Sequence, residues 1–446
     1  MAVTTSSRSS LLRRIGLDRP ELRAWALYDW ANSAFQATIV TAIFPIYFSS
    51  VAAADLTPSD ATGHLAMATT IALSTVAVLS PVLGAVADYA AVKKKMLGYF
   101  LGLGVLATAC MFFIERGDWM LASLLFVLGN IGVSGTLVFY YSLLPHIARE
   151  EELDRVSTAG YALGYLGGGL LLAVNMAWVL KPGLFGIPGA GMASRLSFLS
   201  VAAWWLGFSI PLFRSVPEPP RRLEADEYAS GNAVRSAFTR LRETLRELRS
   251  YKQAFLLIVA FVIYNDGIGT IIRMASIYGT EIGISPSALI PAILLVQFVG
   301  IPFALLFGIL ASRIGAKRSI FLSLAVYTGI SVLAYLMKTA LHFYLVAVLV
   351  GTVQGGSQAL SRSLFATMIP RHKSSEFFAF FGVFEKFAGI AGPAIFAGTV
   401  AATGSSRNAV LSVIAFFVVG AILLAFVDVA EGQRAAREAE ANVRVV

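Results

Sequence analysis

Apolar residues along the chain gather into long runs divided by short polar breaks, near 24–50, 64–87, 96–115, 119–145, 157–180, 192–213, 253–279, 285–311, 319–338, 341–369, 376–402 and 405–429. A helix of about 20 residues crosses a hydrocarbon layer of about 30 Å. Barrel strands would instead show segments of about ten residues with alternating polarity. The pattern predicts an all-α polytopic membrane protein with twelve transmembrane helices. Composition agrees, because 57% of the 446 residues are hydrophobic and 14% are charged. A soluble domain carries roughly 25% charged residues.

Charge then orients the helices. Of the 35 Lys and Arg residues, 27 fall in segments that lie on one side when both termini share that side. Five fall toward the other side (Arg116, Lys181, Arg195, Lys338 and Arg407), and Arg273, Arg362 and Lys386 lie within runs. Basic residues in short loops are retained in the cytoplasm, so both termini are expected there, and the membrane is expected to be the plasma (inner) membrane if the chain is bacterial. The formal charge of +9 is thereby explained by location, and no nucleic-acid partner is expected. The Arg-rich start and Val51–Ala54 mimic a secretory signal, but the apolar stretch is too long for a signal core and contains Asp29 and Asn32. The single Cys110 and the scattered His64, His146, His342 and His372 offer neither a disulfide framework nor a metal cluster. No cofactor is expected.

The two halves repeat at a spacing of about 224 residues. Gly84-Ala-Val-Ala-Asp88 with Lys93, Lys94 and Lys95 answers to Gly308-Ile-Leu-Ala-Ser312 with Lys317 and Arg318. Pro145 answers to Pro370, and Gly164, Gly167, Gly168 and Gly169 answer to Gly389, Gly392 and Pro393. The expected organisation is an N-terminal segment (1–23), a six-helix half (24–213), a linker (214–252), a second six-helix half (253–430) and a tail (431–446). Within the linker Val234, Phe238, Leu241, Leu245 and Leu248 alternate with arginines, which predicts a basic amphipathic helix on the membrane surface or a partner site.

Two stretches carry a resemblance. Gly84 to Lys95 resembles the signature loop of the major facilitator superfamily, although Tyr89 stands where a base usually follows the acid and Ala91 where a glycine usually stands. Trp25-Ala-Leu-Tyr28-Asp29-Trp30-Ala-Asn32-Ser33-Ala-Phe35, then Ile43-Phe44-Pro45-Ile-Tyr47-Phe48 and Tyr264-Asn265-Asp266-Gly267, closely resemble the vacuole effluxer-like family of that superfamily. The resemblance implies the major facilitator fold of two six-helix pseudo-repeats and a secondary transporter. Fungal members are associated with amino-acid release from the vacuole. In the family pattern the loop acid joins a cytoplasmic charge cluster that holds one conformation, a role open here to Asp88 with Lys93–Lys95; a solvated turn is the plainer reading.

Ionisable groups inside a bilayer are costly and normally face protein or water. Asp29, Asn32 and Gln36 in the first span, Asn130 in the fourth, Asp266 and Arg273 in the seventh, Gln354, Gln358 and Arg362 in the tenth and Glu385-Lys386 in the eleventh are therefore the candidates for a substrate or proton pathway. The depths of Asp29 and Arg362 are similar, which predicts their approach across the halves when the cytoplasmic side closes. Asp266 suits a substrate ammonium, a proton or a structural ion pair, and Lys386 suits a substrate carboxylate or internal neutralisation. The expected function is alternating-access transport of a small polar solute, an amino acid or related metabolite, coupled to protons, by a monomer in the lipid bilayer. The competing expectation is a transport-dead sensor acting through the linker helix. No nucleotide-binding loop or catalytic constellation appears, so an enzyme is not expected.

Overall fold

A computed structural model describes residues 12–223, 251–281, 286–441 and 444–445. The linker helix expected over 234–248 lies outside the described residues, as do the side chains of Arg273 and Lys386. The first half contains α1 (Pro20–Ala52), α2 (Pro58–Ala90), α3 (Lys93–Cys110), α4 (Trp119–Ile147), α5 (Leu153–Leu180) and α6 (Ala190–Ser215). The second contains α7 (Lys252–Glu281), α8 (Pro286–Ile314), α9 (Ala316–Tyr335), α10 (Ala340–Thr367), α11 (Ser374–Thr403) and α12 (Arg407–Ala425). A short helix, α13 (Val429–Ala441), follows, and β1 (Arg222–Leu223) pairs antiparallel with β2 (Arg444–Val445).

Eleven helices among the described residues have the length and hydropathy of a membrane span, and α11, 30 residues long, completes the twelve. Their ends extend beyond the apolar runs where local chemistry allows. Proline at the first turn starts α1 at Pro20, where its missing N–H costs nothing. Thr57 caps α2 by accepting from the Asp60 N–H at 3.2 Å. Inside α1 the backbone widens to π-helical spacing over Gln36–Ala42, just before Pro45. The Pro45 ring has no N–H and crowds the preceding turn, so the regular ladder cannot run through it.

The repeat is visible in the packing. Lys94 Nζ donates to the carbonyls of Phe213 and Val216 at the end of α6, at 3.0 and 2.5 Å. Lys317 Nζ does the same at the end of α12, to Ala425 and Val427 at 2.9 and 2.7 Å. A Cβ on Gly84 in α2 would press on the backbone of Ser375 and Glu376 at the start of α11. One on Gly308 in α8 would press on Thr158 and Arg155 at the start of α5. The halves thus meet through two related seams, α2 with α11 and α5 with α8, at the end of the bundle that carries the basic loops. We call this end the basic face.

Candidate functional site: a charge lock between the halves

Asp29 sits nine residues into α1, about 14 Å along its axis. Arg362 lies five residues before the end of α10. Both are buried, at 6% and 1% exposure. The pair expected to approach across the halves is in contact: Arg362 Nη1 and Nη2 donate to Asp29 Oδ2 at 3.3 and 3.4 Å. The guanidinium is held by further acceptors and by ring faces. Its Nε donates to Ser157 Oγ and its Nη2 to the Ser157 carbonyl, both at 2.9 Å. Ser157 Oγ in turn donates to the Ala359 carbonyl at 2.7 Å.

Aromatic rings enclose what remains. The guanidinium carbon lies 4.9 Å from the Trp25 ring, 4.8 Å from Tyr141 and 4.6 Å from Tyr161. Tyr140 stacks on Trp25 at 4.4 Å and donates from its hydroxyl to Asp29 Oδ2 at 2.9 Å. Arginine suits such a site because its planar, weakly hydrated charge can stack and fork at once. Gly160 supplies the space, since a Cβ there would come within 2.6 Å of Asp29 Oδ2.

A second lock joins the signature loop to α11. Asp88 Oδ1 lies 2.6 Å from Lys93 Nζ, and Asp88 Oδ2 accepts from the Glu376 N–H at 3.0 Å. A carboxylate at a helix N-terminus satisfies an orphan donor and complements the helix dipole. Lys93 Nζ also donates to Ser374 Oγ at 2.7 Å. Ser142 and Ser375 are bridged at 3.0 Å, and Ser363 donates to Asp154 Oδ1 at 2.5 Å. Apart from the Asp88–Lys93 pair, which lies within the first half, these contacts cross between the halves near the basic face.

The loop's departures from the superfamily pattern have physical counterparts. Ala91 adopts a left-handed backbone, φ +52, which glycine would take at lower cost. Tyr89 carries no charge, but Arg221 from the start of the linker lies 4.7 Å over its ring and donates to its carbonyl at 2.9 Å. Of the three lysines only Lys93 enters the lock. Lys94 caps α6, and Lys95 is exposed.

The other expected residues are placed as follows. Asn32 and Gln36 follow Asp29 on the same face of α1, as Gln358 and Gln354 do Arg362 on α10. Asn32 is buried, and its Oδ1 has no hydrogen-bond partner; neither does Gln354 Oε1. Gln358 Nε2 donates to Asn265 Oδ1 at 3.4 Å. Asn130 donates to its own helix at Phe126, at 2.8 Å. Asp266 meets α11, accepting from the Gly392 N–H at 2.7 Å. Glu385 borders a cleft of about 20 Å³ with Ser80, Ser134 and Tyr141, between α2, α4 and α11. Sequence reasoning missed Tyr140, Ser157, Tyr161, His146 and Ser374, because uncharged or common polar residues give no signal until the helices are packed.

A duplicated twelve-helix bundle locked at one end is the architecture of major facilitator transporters. The proton:xylose symporter XylE, solved with 6-bromo-6-deoxy-D-glucose, superposes with a TM-score of 0.68 over 97% of this chain and 99% of that one, at 14% identity. Residues 59–437 match the family described as vacuole effluxer Atg22 like, and the chain belongs to that family. It is 40% identical over 408 residues to the "uncharacterized MFS-type transporter YxiO" of Bacillus subtilis (strain 168), covering 91% of this chain and 94% of that protein. It is 26% identical to autophagy-related protein 22 of Yarrowia lipolytica (strain CLIB 122 / E 150), over 66% of this chain and 53% of that protein. The protein is a multi-pass membrane protein of a transporter family, and its relatives are transporters rather than enzymes.

Proposed function

We propose that this protein moves a small polar or zwitterionic solute across the membrane by alternating access, with proton coupling, and that the basic face is cytoplasmic. The observation that carries this reading is the buried Asp29–Arg362 pair, in which each half supplies one charge. Separation of the halves at that end would uncover both charges and let water hydrate them. A permanent structural tie would more economically use apolar residues, since a buried ion pair rarely outweighs its desolvation cost. The solute would lie beyond the lock, between α1 and α10, where the Asn32 and Gln354 carbonyls are buried without partners. Leaving such acceptors empty costs about 1–3 kcal/mol each, a cost that a solute ammonium or a water would offset. Amino-acid export, suggested by the fungal relatives' family, is the first solute class to try.

On this reading the halves are 24–213 and 253–430, the intervening 214–252 is a cytoplasmic tether, and 1–23 and 431–446 are cytoplasmic. Purified protein in liposomes, offered a panel of labelled metabolites with and without a pH gradient, tests the proposal. Accumulation that follows the gradient supports coupled transport. Flux indifferent to it would replace coupling with facilitated diffusion.

A further inference from the structure

His146 lies in the last turn of α4, beside the second lock. Its Nε2 is 3.1 Å from Lys93 Nζ and 3.2 Å from Ser374 Oγ. An ammonium only donates, so the nitrogen that faces Lys93 accepts, and the neutral ring carries its proton on Nδ1. Ser374 is already engaged, because its hydroxyl accepts from Lys93 and donates to the Ser142 carbonyl at 3.1 Å. A proton added to His146 must therefore enter at Nε2. It would turn an acceptor for Lys93 into a donor pointed at an ammonium.

The surroundings sharpen this conflict. Among the described residues, the buried charged or titratable groups of this lock and of the turn it holds are Asp88 from α2, Lys93 from α3, His372 and Lys373 from the turn before α11, and Glu376 from its first turn. Arg149 and Glu150 follow on the same strand of chain. Protonated His146 would set a second positive charge 3.1 Å from the Lys93 ammonium, where low-polarity surroundings strengthen repulsion.

We propose that His146 is a proton-binding residue that ties opening of the basic face to protonation. The neutral ring holds Lys93 on Ser374 and so holds the signature loop on α11. The imidazolium displaces Lys93, and α11 is released. This inference rests on the alternating-access reading and adds to it a proton site other than the membrane-embedded acids.

The test places spin labels at K95C and S312C, exposed positions in opposite halves at the basic face, on a C110A background in lipid nanodiscs. Pulsed distance measurements run from pH 8 to pH 5.5. In the otherwise unaltered chain the long-distance population is expected to grow several-fold as pH falls. His146→Gln, whose amide oxygen still accepts from Lys93, and His146→Asn should both flatten that dependence in the short-distance state. His372→Gln should leave it intact. A flat profile in the unaltered chain, an unchanged profile in the His146 variants, or a profile abolished by His372→Gln would overturn the proposal. Asp88→Asn separates the role of His146 from alternating access itself. If it opens the face at every pH while the parent profile is flat, alternating access stands and the role of His146 falls. If neither variants nor pH change the distance, alternating access itself fails.

Discussion

Both terminal nitrogens of Arg362 donate to one carboxylate oxygen of Asp29, across the seam between the two halves, at 3.3 and 3.4 Å. Removing one partner of a buried ion pair costs about 3–5 kcal/mol, because the other charge is left uncompensated. Reversal of either charge is therefore expected to lower transport at least a hundredfold, with the basic face biased open. The double reversal, D29R with R362D, should recover part of that loss. Recovery will be incomplete, since Ser157, Tyr140 and the rings around Arg362 are arranged for an arginine on α10. Initial rates in proteoliposomes measure both effects.

The seam can also be tested without touching a charge. A Cβ on Gly84 would come within 2.7 Å of the Ser375 carbonyl oxygen, a backbone atom that cannot swing aside. Gly84→Ala should wedge α2 away from α11 and raise the population open at the basic face severalfold in the same distance measurement. Gly102→Ala, where nothing lies within 4 Å, serves as the control. It should leave the distances unchanged and cost no stability, since alanine is the better helix former.

These two predictions draw on features of unequal legibility in the sequence. Span number, the repeat and the Gly84–Gly308 correspondence were legible because a bilayer dictates helix length and because duplication preserves spacing. Asp29 and Arg362 were legible as partners because so few charges lie at similar depth in opposite halves. The rest depended on packing. Ser157 and Tyr161 are ordinary residues in an apolar run, and only the placement of α5 against α1 and α10 brings them to Arg362. The π-helical stretch after Phe35 likewise leaves no mark beyond a proline that many helices tolerate. For Asp266 the sequence allowed three roles, and the contact with Gly392 depends on how α7 meets α11.

That contact makes a third prediction. Asp266 Oδ2 accepts from the Gly392 N–H at 2.7 Å, so Asp266→Asn can keep the bond through its amide oxygen. Asp266→Ala cannot, and should destabilise the protein by about 1–3 kcal/mol, seen as a lower melting temperature in detergent. Equal loss of stability in both variants would count against the anchoring contact. Loss of gradient-driven uptake in Asp266→Asn with stability intact would show instead that the carboxyl handles a proton.

Outside the spans, burial raises the pKa of Glu218, opposed by its hydrogen bonds and by the nearby Lys93 and Lys94. Its Oε2 accepts from the Lys94 N–H at 2.9 Å, while Oε1 is buried without a partner. An acid with a raised folded-state pKa contributes stability that is fully present below its unfolded pKa and is lost as pH rises through the folded value. Glu218→Gln should therefore melt above the parent protein near pH 7.5, with the gap closing as pH falls toward 4. A gap that widens on acidification would reverse the sign.

The central claim is that the Asp29–Arg362 lock belongs to a working transport cycle. Its most direct test is uptake of the labelled metabolite panel by proteoliposomes holding the parent protein, D29R, R362D or the double reversal, each checked for folding by gel filtration. At least one solute is expected to enter faster than in protein-free vesicles, to fall to background in both single reversals and to return in part in the double. A folded parent protein that moves none of the panel, or a double reversal no better than the worse single, would contradict it.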